Sequence, residues 1–570
     1  MNILGLYGGF DWNANKSFDE YQDLTWTHDA GVTLISNGNH VTSISQERLT
    51  RIKYDGNFPQ NSVDYCLSTG NLSYEDIDLV CVPSMCLTIW YKQHYEGTIH
   101  TKLNTLFPNA KIKFVSHHLS HAASAVFSSN FNEGSFLVLD GAGSLLYAHN
   151  YQDVKHVETN SIGYFNKEKG IFRFFPGLPN VNEFGAYYHS LSHKIYCEKI
   201  QKQIDGYDEK YRESWDGKIM GLSAYGSHLN FTEELKDYQL SKDLVYEDVP
   251  YVTFYGRPYK ENHTFKNPDE KAYILQRNFE CALIDYVTEL KEKSYLDDYI
   301  CLAGGSFLNV LGNSLLKQSG LFEDIHVPPY PNDVGLHFGA ACFGAFQNKE
   351  EINLPNNIAL LGKEYTQDTI EQQLIRGDMK YQKYENFEEL CEFTAQELNK
   401  NKIIGWFQNR SEFGPRALGS RSLLMHPGPA KNKDIMNSRV KHREYWRPFA
   451  GIVLEEHLND YFEEDFCSPY MLYSLTVKEE KRGEIAAITH VDNTCRIQTV
   501  TKELQPEVTT LIQKFKEVSG IPVVLNTSFN DNGEPIVESP EDAIKAFNNL
   551  DIDYLVIGNY VVKRSEISYG

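Results

Sequence analysis

VSHHLSHAASAVFSSNFNEGSFLVLDGAG, residues Val115 to Gly143, decides how the rest of the chain reads. His117 and His121 stand four residues apart. On a helix that spacing points both imidazoles from one face, where one cation can take both. The apolar run Phe136–Leu139 reads as a buried strand, and Asp140 falls where it ends. The small residues after it let backbone approach a phosphate closely. The stretch proposes a metal and a phosphate in one cleft. Two ordinary helix histidines and a turn aspartate are the plainer reading, and the rest of the chain has to decide between them.

At 570 residues the chain exceeds what one hydrophobic core serves, so two or more domains are expected. A composition of 41% hydrophobic and 23% charged residues is that of a globular protein. The net charge of −23 argues against a nucleic-acid partner, though a locally basic cleft can still take an anionic substrate. No apolar run is long enough to span a bilayer, so no membrane partner is expected. The start, MNILGLYGGFDWN, lacks the basic and apolar parts of a signal peptide. Ten cysteines without a CxxC pair fit reduced thiols and a cytoplasmic enzyme.

Outward from the histidine stretch, Ile3–Gly9 reads as a strand entering a glycine turn. Asn37-Gly38 between two apolar runs is a hairpin signal. A strand, a glycine turn and a hairpin open the actin-like ATPase fold. Gly217-Lys-Ile-Met-Gly-Leu-Ser-Ala-Tyr-Gly226 sets Lys218 among small residues, as a phosphate contact or an ordinary loop. Gly304 and Gly305 lie between a strand (Tyr299–Ala303) and a helix start near Asn309, where backbone N–H groups favour a nucleotide. Asp333 precedes a small-residue helix, and its plain reading is an N-cap. The character of the chain shifts near 350–365. Beyond it, Arg416, Arg421, Arg439, Lys441, Arg443 and Arg447 cluster in an otherwise acidic sequence, with glycine and proline between them. Guanidinium forks match phosphate and carboxylate oxygens, so an anion pocket is the better reading than a solvated basic face. Asn526 and Ser528 end a strand with polar groups that could complete it. No internal repeat is visible.

The motifs HDAG, ERLTRIKYDGNFP, HHLSHAASA, DGAG, GKIMGLSAYG, GGSFLN, PNDVGLHFGAA, EFGPRALGSRS, WRPFA and LNTSFN occur in this order over nearly the whole chain. Together they resemble the O-carbamoyltransferases of antibiotic and nodulation-factor biosynthesis. The resemblance implies an α/β protein of two parts. Residues 1–355 would be a two-lobed actin-like (ASKHA) domain similar to the TsaD-type protein of tRNA threonylcarbamoyl transfer. Residues 356–570 would be similar to YrdC, a pairing also found in HypF.

The resemblance further implies that ATP, with Mg2+, and carbamoyl phosphate yield carbamoyl-adenylate in the second part. A hydroxyl of a small-molecule acceptor then attacks the carbamoyl carbon in the first. His117, His121, Asp140 and Asp333 would hold a divalent metal, iron(II) in the family. Two imidazoles and two carboxylates suit a first-row divalent ion without distinguishing among such ions. Arg416, Lys441, Arg447, Asn526 and Ser528 would take carbamoyl phosphate, with Arg416 and Arg447 acting in catalysis. Lys218, Gly304, Gly305, Asn309 and Arg421 would contact nucleotide. His28 is the candidate general base, set against a structural histidine at a strand start. His118 would lie behind the ligands or face substrate. The segment 10–27 looks longer than the family's turn, and a role in acceptor choice is expected of it.

A threonylcarbamoyl-type enzyme acting on RNA fits the acidic balance poorly. HypF-like maturation would need an acylphosphatase region and CxxC pairs. A non-enzymatic actin-like scaffold would have no use for a second anion pocket. The negative charge suggests a cationic acceptor.

Overall fold

The computed structural model describes residues 1–9, 28–84, 97–141, 145–147, 156–177, 184–201, 215–227 and 267–564. The 10–27 segment and the end of the DGAG turn, Ala142 and Gly143, lie outside them.

The N-terminal apolar run forms β1 (Asn2–Tyr7), buried from Ile3 onward. The Asn-Gly signal makes a hairpin of β2 (Gly31–Ser36) and β3 (Asn39–Ser45). Asn37 and Gly38 both take positive φ, 49° and 76°, as the tight hairpin turn requires. β4 (Leu79–Ser84) and β5 (Lys111–Ser116) complete a sheet of order β3-β2-β1-β4-β5. β1 pairs antiparallel with β2 and parallel with β4, and β5 runs parallel to β4. Leu4, Leu6, Val32, Val80 and Phe107 join its core.

The second sheet repeats that plan. It begins with β6 (Glu133–Leu139), followed by a two-stranded ribbon of β7 (Leu145–Tyr147) and β8 (His156–Val157). The other members are β9 (Asn160–Asn166), β10 (Ile171–Pro176), β11 (Tyr299–Ala303) and β12 (Asp324–His326). Their order is β10-β9-β6-β11-β12, with the first three antiparallel and β6, β11 and β12 parallel. Two sheets of one topology are the actin-like architecture, and the sequence shows no sign of the duplication. A small-residue helix, Leu336–Gln347, packs on β1 and on the histidine helix His117–Ser128. The approach is close enough that a Cβ on Gly339 would stand 1.9 Å from the Ser120 carbonyl oxygen.

The Gly217–Gly226 stretch is helical and not a glycine loop: Trp215–Ser223 is α and Ala224–Gly226 a 3-10 turn. It packs on the helices Phe184–Ile200 and Pro268–Glu292, and that burial outweighs the low helix propensity of its glycines. No helix among the described residues is long and apolar enough to cross a membrane.

By internal packing the chain divides into two units, Met1–Thr50 with Tyr54–Ile358, and Arg51–Lys53 with Ala359–Gly570. The second contains β13 (Tyr381–Lys383), β14 (Ile404–Phe407), β15 (Arg421–Met425), β16 (Ala450–Leu454), β17 (Tyr473–Thr476), β18 (Thr494–Val500), β19 (Val523–Ser528), β20 (Tyr554–Ile557) and β21 (Tyr560–Lys563). These form one sheet of order β13-β21-β20-β14-β15-β19-β16-β18-β17. The helices Phe387–Asn399 and Pro506–Ser519 pack together and put Leu390, Leu398, Leu511 and Phe515 into a core with Trp406, Ile452 and Val524.

Candidate functional site

β5 runs straight into the histidine helix. Ser116 caps it, its hydroxyl accepting the Leu119 N–H at 3.3 Å. His117 and His121 project from this first turn and are buried, at 1% and 0% exposure. Asp140 follows β6 and Asp333 opens the turn before Leu336–Gln347, so three segments converge. His117 Nε2 lies 3.3 Å from Asp140 Oδ2 and 3.5 Å from Asp333 Oδ1; His121 Nε2 lies 3.6 and 3.3 Å from the same atoms. One ligand atom from each of the four falls within 4.8 Å of all the others.

The electrostatics suit a cation. Burial acts to strip His117 of its proton, but Asp333 and Asp140 prevail and push its pKa up to about 10. His121 shifts the same way, against the same burial. Burial acts to raise both aspartates, yet the two imidazoles hold them well below the usual carboxylate range. Two protons on the imidazoles carry the same charge as one divalent ion, so the ion can replace them without changing the site's net charge. His121 Nε2 is buried and, although both carboxylates lie within 3.6 Å, makes no hydrogen bond among the described residues, which leaves it open to an ion. Two nitrogens and two carboxylates fit a first-row divalent ion.

Around the four, other groups set orientation. Tyr7 donates its hydroxyl to Asp333 Oδ2 at 3.1 Å. The Gly305 N–H donates to Asp140 Oδ1 at 2.9 Å. His118 points away from the quartet, with Nδ1 2.9 Å from Ser161 Oγ, which donates to Glu158 at 2.7 Å. Burial keeps His118 well below the ordinary histidine range despite the pull of Asp140. His28 stands at the rim, its side chain 53% exposed, with Nδ1 3.0 Å from Asp29 and Nε2 3.8 Å from Asp333. Partial desolvation opposes its charge, but Asp333 and then Asp29 push its pKa up to about 9. Asn332 holds Asp29 by a 3.2 Å hydrogen bond.

The residues expected to hold nucleotide in this unit divide. Gly304 takes φ 99°, and a Cβ there would stand 2.1 Å from the Leu139 carbonyl oxygen, so the turn lies directly on the end of β6. Asn309 caps the helix Val310–Gln318 and exchanges two 3.0 Å hydrogen bonds with Gln276. Lys218 is buried, donating to the Tyr196 hydroxyl at 3.2 Å and lying over the Tyr196 and Trp215 rings.

In the second unit the cations separate by environment. Lys441 is 3% exposed, and its ammonium donates to the carbonyls of Ser528 (3.0 Å) and Asn530 (2.6 Å) and to Asn530 Oδ1 (2.9 Å). Burial first, then the charges of Arg443 and Arg447, hold it well below the ordinary lysine value. Arg443 feels burial, Arg447 and Arg496; Arg496 feels burial, Arg416 and Arg447. Five basic side chains therefore crowd one region. Arg496, on β18, was not singled out in the sequence, where it is one charge inside a strand pattern. The side chains of Arg421 and Arg439, grouped with them by sequence, are engaged with other groups. Arg421 is 0% exposed, stacks on Phe407 and donates to the carbonyls of Gln408 and Asn409 at 2.6 and 3.1 Å. Arg439 pairs with Asp551 at the surface. Asn526 Nδ2 donates to the Ala417 carbonyl at 2.9 Å, which ties β19 to the Arg416 loop.

Comparison with known proteins gives consistent matches. The family described as Carbamoyltransferase N-terminus matches residues 23–95 and 87–342, and Carbamoyltransferase C-terminus matches 395–564. Nodulation protein NolNO of Sinorhizobium fredii is 32% identical over 100% of this chain and 83% of its own length. Nodulation protein U of Rhizobium tropici is 35% identical over 89% of this chain and 90% of its own. Among solved structures, full-length HypF in its phosphate- and nucleotide-bound form aligns at TM-score 0.30 and 14% identity, covering 61% of this chain and 46% of that one.

Proposed function

The chain belongs to the carbamoyltransferase family, and from that premise we propose a reaction in two stages. In the second unit, water releases phosphate from carbamoyl phosphate, and the carbamate so formed attacks the α-phosphorus of ATP, held with Mg2+, giving carbamoyl-adenylate and pyrophosphate. In the first, a hydroxyl of a small molecule attacks the carbamoyl carbon and AMP leaves. The observation that carries this reading is the crowding of Lys441, Arg443, Arg447, Arg496 and Arg416. Like charges gathered around a buried lysine repel at a cost that a bound polyanion repays, and phosphoryl chemistry needs such a grip. Ser528 completes it beside Lys441. Arg421, already committed to main-chain carbonyls, shapes the loop instead of touching nucleotide.

His117, His121, Asp140 and Asp333 would hold the divalent metal, iron(II) by family resemblance, and its charge would stabilise the departing AMP phosphate. The Gly304-Gly305 turn lies against the same aspartate, so nucleotide and metal sites adjoin there. His28 is the candidate acceptor of the hydroxyl proton. As the carboxylates stand it is charged; a cation sharing Asp333 would cancel the attraction that keeps it so. With a chain charge of −23, cationic alcohols head the search for the acceptor.

The test is pyrophosphate release from ATP with and without carbamoyl phosphate, followed by mass spectrometry of candidate alcohols for a carbamoyl gain. Dependence on carbamoyl phosphate is expected. Release that ignores it would sink the reading.

A further inference from the structure

A buried anion holds the loop that follows Arg416 in the second unit. Glu412 is 3% exposed. Its Oε1 accepts the main-chain N–H groups of Leu418 and Ser420 at 2.8 Å and of Arg421 at 3.0 Å. Its Oε2 is buried and has no hydrogen-bond partner among the described residues. The first N–H it holds, that of Leu418, lies two residues after Arg416. Asn526 binds the same stretch through Nδ2, and its Oδ1 is likewise buried without a partner. Asn526 precedes Ser528 by two residues on β19, which sets both on one face of the strand. Ser528 meets the Lys441 ammonium.

Two dry, unpaired acceptors are costly, and they are out of place where a phosphate is to bind, since phosphate offers acceptors of its own. A divalent cation does not explain them. Among the described residues, the only group of three or more metal-ligating side chains is the His117 quartet. What fits is a neutral group rich in N–H donors. Carbamoyl phosphate carries one at the end opposite its phosphate: an NH2 with two donors.

We propose that Glu412 Oε2, with Asn526 Oδ1, accepts the N–H bonds of the carbamoyl amine and so selects carbamoyl phosphate over acyl phosphates. Acetyl phosphate, the same shape with methyl for amine, would leave both oxygens unpaired, and sites built to satisfy a donor reject analogues that lack it. This rests on the reading of the second unit as the carbamoyl phosphate site.

Glu412→Gln tests it isosterically. Three N–H donors hold an oxygen at the Oε1 position, which forces the glutamine nitrogen into the place of Oε2 and turns an acceptor into a donor. In carbamoyl-phosphate-dependent pyrophosphate release, the KM for carbamoyl phosphate should rise about ten- to hundredfold, the range for a hydrogen bond to a charged group. Inhibition by acetyl phosphate and by inorganic phosphate should keep its wild-type constants. An unchanged KM overturns the proposal, and so does equal weakening of all three ligands, which would place the loss in the phosphate grip. Should the variant not fold, the wild type decides: acetyl phosphate bound as tightly as carbamoyl phosphate overturns it. A wild type releasing no pyrophosphate with carbamoyl phosphate removes the underlying reading, and this inference with it.

Discussion

In the first unit two carboxylates face two imidazoles that are 0–1% exposed; in the second a lysine 3% exposed lies among arginines. The first centre is balanced, two carboxylates against two imidazoles whose protons one divalent ion could replace. The second is not: a buried lysine and half-buried arginines bring like charges together. Charge of one sign drawn out of water costs free energy that the fold must supply elsewhere, so the second region marks a ligand of the opposite sign. The two centres are also assembled differently. The first takes one or two residues from each of three segments. The cationic one draws most of its charge from a single loop, 441–447, with Arg416 and Arg496 added.

If the two centres serve separate stages, variants should separate them. The largest effect is expected for His117→Ala. Losing a ligand should cost metal and lower carbamoyl transfer by more than about a thousandfold, with pyrophosphate release preserved. Metal analysis and the two assays on one preparation check this, and full metal content would refute it. Arg447→Ala should do the reverse, lowering pyrophosphate release by roughly a hundredfold through loss of a charge-assisted contact while metal content stays constant. Tyr7→Phe removes only the hydroxyl on Asp333 and should weaken metal binding by about tenfold, read by competition with a chelator.

Acid should divide the molecule more gently. Burial lowers His326 and His337, both in the first unit, to about 3 from the usual 6.5. Their folded values lie below the unfolded one, so the unfolded chain binds more protons in that window. The stability they contribute is present above pH 6.5 and is lost as pH falls toward 3. Urea titrations over this range should show it, and His326→Gln should reduce the pH slope by about one proton.

Parts of this were legible in the sequence for identifiable reasons. The i, i+4 spacing put His117 and His121 on one helix face, and the end of an apolar strand marked Asp140. Asp333 carried no local signal beyond a helix start, because what brings it to the histidines is the packing of Leu336–Gln347 on β1. Lys218 among glycines looked like a phosphate contact, since the aromatic rings that cover it belong partly to another helix. Arg421 and Arg439 were grouped with the anion site by proximity along the chain. In the fold, the first turns into main-chain carbonyls and the second out to Asp551. The duplication of the five-stranded sheet left no trace, because topology depends on where apolar runs fall and not on which residues fill them.

Asp140 serves two masters: one carboxylate oxygen faces the histidines while the other takes the Gly305 N–H. Thermodynamic linkage follows. Whatever settles on the glycine turn and shifts that carboxylate alters the affinity for a cation by some factor, and the cation must alter the affinity of that ligand by the same factor.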